Sequence, residues 1–197
     1  MMGRMMQRVS AILVGLIAPL MIASLASATL IEALDMRTLV TDSDHIVLGT
    51  VIHTEARYDH LDRIVTDATL RIEENMWGRA AENGTIVMRS LGGAMGDVGM
   101  RIEGEPSLDV GDRVILFARE IRSERVLRPV GMSQGVLPVQ RLSGGPTVMP
   151  GGHGLSLVQR DHDGQLRPAP GALLEPTSLD DVLSQIRDLV TEIHHAR

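Results

Sequence analysis

The chain predicts a mainly β fold: a small antiparallel β-barrel or sandwich with one C-terminal amphipathic α-helix. Three observations lead there. Short apolar or alternating runs follow one another between residues 45 and 142, parted by turn signals such as Asn83-Gly84. They are not interleaved with the helical segments that βαβ units require. Beyond residue 177 the period changes, and Leu179, Val182, Leu183, Ile186, Leu189, Val190 and Ile193 recur at helical spacing.

Taken in order, "IEALDMRTLVT" at 31–41 is compatible with a short helix, through Ile31, Leu34, Leu39 and Val40. "HIVLGTVIHTEARYD" is rich in β-branched residues and reads as a strand. "DHLD" at 59–62 is a turn. "RIVTDATLRIEE" then sets Ile64, Thr66, Ala68, Leu70 and Ile72 against Arg63, Asp67, Arg71 and Glu73, the pattern of a half-buried hairpin partner. "TIVMRSL" is the next strand. "RSLGGAMGDVGMRIEG" carries glycines at 92, 93, 96 and 99, and "VGMRIEG" is expected to pair back on it.

"LDVGDRVILFARE" opens with a turn and becomes a strongly apolar strand, and "RVLRPVG" and "VLPVQRL" flank "MSQG" as two more. "SGGPTVMPGGHG" at 143–154 reads as a loop, and "LSLVQRDHDGQLRP" as a small hairpin on Asp163-Gly164. Ser178 is placed to cap the last helix, with Asp181 three residues on. The organisation that follows is a signal peptide at 1–28, a β-domain at 29–142, a Gly/Pro-rich loop with a hairpin at 143–176, and at 177–197 a helix packing on the β-domain.

The signal-peptide reading comes from Arg4 and Arg8, the apolar run Val9–Leu25 and the small residues "ASA" at 26–28. It predicts a periplasmic or secreted protein with no membrane span after cleavage. Seventeen of the 19 basic residues and all 25 acids follow residue 28, a balance of −8. That balance argues against nucleic acid as a partner, because phosphate binding needs clustered positive charge. Every basic residue is arginine, so lysine chemistry is excluded. Cysteine is absent, which removes disulfides, thiolate metal sites and cysteine nucleophiles. Tyr58, Trp77 and Phe117 are the only aromatic residues, too few for a platform that stacks bases or sugars.

"SDHIVLGTV", "MWG", "RSLGG", "DVGDRVILF" and "GMSQGVLPV" together resemble a group of exported, functionally uncharacterised bacterial β-domains. These have a Gly-Gly loop, a Gly-Glu/Asp-x-Val-x-Leu-Phe strand and a Gly-Met-x-Gln-Gly turn. The resemblance covers about residues 34–141. It implies a compact antiparallel β-fold of barrel character and implies no activity.

Candidate chemistry is sparse. "GMSQG" at 131–135 satisfies G-x-S-x-G, which makes Ser133 the catalytic candidate, with Asp161 or Asp181 and His194 available in hydrolase order. Yet "VLPVQRL" cannot open the helix that this motif needs, and a hairpin turn explains both glycines. His45, His53 and His60, with acids nearby, are the metal candidates. On a regular strand His45 and His53 share a face but stand about 26 Å apart, too far for one ion. Methionines 88, 95, 100 and 132 suggest a soft copper(I) site, with core filling as the plainer use. Glu73/Glu74 and Glu103/Glu105 are candidate carboxylate pairs for glycosidic chemistry, but they lie at strand ends. The glycine stretch lacks both the lysine of a phosphate loop and the helix of a dinucleotide fingerprint, so it reads as a strand connection.

The expected function is an exported, non-catalytic binding or structural module of the cell envelope, without cofactor, meeting an envelope protein or an extracellular ligand. The alternatives are a small serine hydrolase using Ser133 and a periplasmic metal-handling protein using the histidines.

Overall fold

A computed structural model describes residues 30–79, 83–152, 155–169 and 175–194. The expected signal peptide lies outside the described residues. Strand β1 (Leu30–Glu32) leads into helix α1 (Met36–Thr41), whose first turn is capped by the Asp35 carboxylate accepting from Thr38 N at 2.7 Å. Two long strands follow, β2 (His45–Tyr58) and β3 (Ile64–Trp77), paired antiparallel along nearly their whole length. β4 (Thr85–Leu91) pairs antiparallel with β3. β7 (Arg113–Ile121) lies on the other side of β2, and β8 (Val126–Pro129) folds back on β7. A single parallel bridge between Met88 and Leu127 brings β8 against β4.

The ring β2-β3-β4-β8-β7 is therefore partly closed, through one bridge at its weakest seam. Bulges after Ile46, Leu48 and Val51 let β2 bend far enough to join both walls.

The remaining strands extend this ring. Beyond β7 the sheet continues through β9 (Val136–Leu142), β10 (Gly145–Val148) and β13 (Thr177–Ser178). The stretch expected to be a loop from residue 143 thus contributes a strand, because Gly145 at φ 114° permits a tight reversal on β9. β11 (Ser156–Arg160) and β12 (Leu166–Pro168) form a hairpin, and β1 joins β11 in parallel. Within the glycine stretch, β5 (Gly93–Met95) and β6 (Val98–Met100) pair with each other about Gly96, whose φ is 59°. Residues 98–100 therefore pair inside the glycine stretch, and 101–112 run as a strap without regular structure.

The apolar run of β7 has a physical explanation. Val114, Leu116 and Ala118 point into the barrel with Val47, Leu70 and Met88. Ile115 and Phe117 point the other way, onto helix α2 (Leu179–His194), through Val182, Ile186 and Val190. A strand buried on both faces needs no polar alternation. Helix α2 starts as its sequence suggests, with Asp181 N donating to Ser178 Oγ. Arg187 pairs with Glu74 of β3, and Glu192 with Arg37 of α1.

Candidate functional site

The Gly131–Gly135 turn joins β8 to β9. Gly131 and Met132 both have φ near 61°. For methionine that conformation costs on the order of 1 kcal/mol, a strain the surroundings must hold. A short 3-10 turn, Met132–Gly135, follows. Ser133 N donates to Gly104 O at 2.8 Å, and Gly152 N donates to Ser133 O at 3.0 Å. The Gln134 side chain accepts from Leu34 N at 2.9 Å and donates to Glu32 O at 3.2 Å, which fastens the first strand to the barrel. Gly135 lies so close to the backbone of Val130 and Phe117 that a β-carbon would overlap both.

The backbone of the motif and the Gln134 side chain thus have structural work. The exception is the Ser133 hydroxyl, which is buried and has no hydrogen-bond partner. An orphaned buried hydroxyl costs about 1–3 kcal/mol.

Ser133 is among the residues that line a cleft of about 360 Å³ between the 101–112 strap and the start of β9. Leu108, Val114, Val136 and Val139 line it, with Pro106 and Pro138. Two of the four charged groups here, Arg113 and Glu105, are already paired. Arg113 pairs with Glu73 at 2.7 Å, and Glu73 also accepts from Thr50 Oγ1. Burial pushes the Glu73 carboxyl up, but these hydrogen bonds from Arg113 and Thr50 outweigh it and hold it below the usual range. Glu105 pairs with Arg128 and accepts from Leu91 N, which pins the strap to β4 and β8. The Asp112 carboxylate accepts from Asp109 N, and Arg101 reaches Glu103 at 3.5 Å with both side chains mostly in water. A second cleft of about 400 Å³ opens on the far side of the strap, along Gly92–Ala94.

The other candidates do not converge. His194 stacks on Trp77 at 4.0 Å, Asp161 pairs with Arg167, and the Asp181 carboxylate accepts from the Ser178 hydroxyl at the start of α2. No histidine among the described residues lines the Ser133 cleft. His45 is half-buried at the start of β2, with Nδ1 enclosed and unpartnered, whereas His53 and His60 are exposed on β2 and in the following turn. The bulges of β2 break the regular alternation that would have set His45 and His53 on one face. Among the described residues no three histidine or carboxylate side chains are grouped to hold a metal ion.

The methionines divide similarly: Met88 is in the barrel core, Met95 and Met100 are on the β5–β6 hairpin, and Met132 packs by Gly104. Glu73, Glu74, Glu103 and Glu105 each pair with an arginine.

The outer face of β2–β4 holds a different cluster, Asp67 between Arg57 and Arg89. Burial raises the Asp67 carboxyl, and the two guanidinium groups more than offset it, so it stays low. Tyr58 is the one aromatic side chain exposed near this face, since Phe117 is in the core and Trp77 packs under α2. The signal for the Ser133 cleft was present in the sequence only as an unusual turn. One of its walls comes from the strap at 101–112, distant in sequence, a juxtaposition no local pattern encodes.

No protein-family model matches the chain, and no curated protein matches it.

Proposed function

We propose that the protein is an exported, non-catalytic binding module whose ligand occupies the Ser133 cleft. The observation that carries this reading is a cleft of about 360 Å³ lined by both aliphatic and charged side chains, together with a buried hydroxyl left unpartnered beside it. Small-ligand sites have volumes of about 300–1,000 Å³ and use placed polar groups to orient the ligand. The Arg4/Arg8 and Val9–Leu25 pattern supports export to the periplasm or beyond. The acidic balance after residue 28 supports a partner other than nucleic acid.

The test is a thermal-shift screen of the purified chain against small apolar, hydroxylated and zwitterionic compounds. A ligand confined to the folded state at 100 times its Kd adds about 2.7 kcal/mol of stability. Ser107→Trp, at an exposed position on the cleft wall, should abolish the shift. A screen without any saturable shift overturns the reading, and so does fluorophosphonate labelling that Ser133→Ala removes.

A further inference from the structure

We infer that the cleft takes an aliphatic zwitterion, either a free α-amino acid or a short peptide. The inference rests on the binding-module reading above and adds the ligand class.

The argument is one of subtraction among the charged groups. Of the four that line the cleft, Arg113 is neutralised by Glu73 and Glu105 by Arg128. The two that remain have opposite signs. Arg101 has only a long, solvated contact with Glu103, the kind of surface pair that contributes little. The Asp112 carboxylate receives one backbone hydrogen bond and has no cation partner among the described residues.

A ligand bearing only a carboxylate meets Arg101 but is opposed by Asp112. An amine has the reverse difficulty. A zwitterion answers both, and like-charge juxtaposition then discriminates against the singly charged analogues. The apolar part of the lining is aliphatic, through Leu108, Val114, Val136 and Val139, and no aromatic side chain among the described residues lines the cleft. That favours a leucine-like side chain over a ring.

Ser133 adds a polar group to the lining, because a hydroxyl both donates and accepts. Its hydroxyl is buried in this conformation, so direct contact with a ligand requires a small local opening around it. The strap carries both Arg101 and Asp112 and has no strand ladder of its own, so the ligand's charges act on a segment without regular pairing.

Isothermal titration of the purified chain tests this with four probes: L-leucine, L-leucyl-L-leucine, 4-methylpentanoate and isoamylamine. At least one zwitterion should bind saturably, each singly charged analogue at least 10-fold more weakly. Leucine against dileucine separates the free amino acid from the peptide. Arg101→Gln should weaken the zwitterion about 10-fold and leave isoamylamine no weaker. Asp112→Asn, which keeps the turn acceptor, should weaken the zwitterion and leave 4-methylpentanoate no weaker. Analogues that bind as well as the zwitterion, or charge variants without effect, overturn the ligand class while the binding module stands. If none of the four binds, the ligand class falls, and the broader thermal-shift screen judges the binding module independently.

Discussion

The Gln134 side-chain oxygen accepts the backbone N–H of Leu34 at 2.9 Å across 100 residues of sequence. The same amide donates to Glu32 O, so one buried side chain closes two backbone groups of the first strand segment. Gln134→Leu removes both bonds and leaves two main-chain groups unpaired. It should cost about 2–3 kcal/mol, read as a lower urea midpoint with an unchanged slope.

Gly135→Ala tests close backbone approach rather than polarity. The added methyl would meet Val130 and Phe117 main-chain atoms, which cannot rotate away as a side-chain end can. We expect a loss of about 3 kcal/mol or more, visible as reduced soluble yield and a lowered Tm.

Ser133→Ala should act in the opposite sense. Removing an unpartnered buried hydroxyl relieves its desolvation cost, so Tm should hold or rise, by up to about 1 kcal/mol of stability. A clear fall in Tm would show that the hydroxyl has a stabilising partner. Stabilisation by a change that weakens ligand binding is the usual trade at a functional site.

Ile186→Ala tests the seating of the terminal helix. Its side chain is fully buried against β7 and its neighbours. The truncation should cost about 2–5 kcal/mol in chemical denaturation.

Asp59 governs an acid-side effect. Burial raises its carboxyl, but hydrogen bonds from the Arg63 amide and guanidinium and the Leu61 amide prevail and hold it at about 2. The depressed pKa means that its stabilising contribution is complete above the ordinary carboxylate range. That contribution is lost as pH falls from about 4 towards 2. Wild-type Tm should therefore drop more steeply than that of Asp59→Asn between pH 4 and 2, and parallel curves would contradict this.

Much of the architecture was legible because its physics is local. Alternation marked β3, the two-sided apolar run marked β7, and Ser178 with Asp181 marked the start of the last helix. The closure of the ring was not legible, since it depends on one bridge between Met88 and Leu127 and on bulges in β2 that no residue type announces. That residues 98–100 pair back on the glycine stretch was legible, but the place of the reversal was not. Gly96 permits a turn tighter than the alternation of the flanking residues suggests, so the pairing stops at Met100. The histidines show the same limit from the other side. Spacing along a strand assumes a straight strand, and β2 is bent.

Trp77 is the chain's single tryptophan, and its ring lies 4.0 Å from that of His194 at an interplanar angle of 11°. The chain therefore carries an intrinsic optical probe at the junction of barrel and helix. Departure of α2 would strip the imidazole from the indole face and admit water, moving the emission to longer wavelength. Unfolding of the barrel and release of the helix could then be timed separately, without attaching a dye.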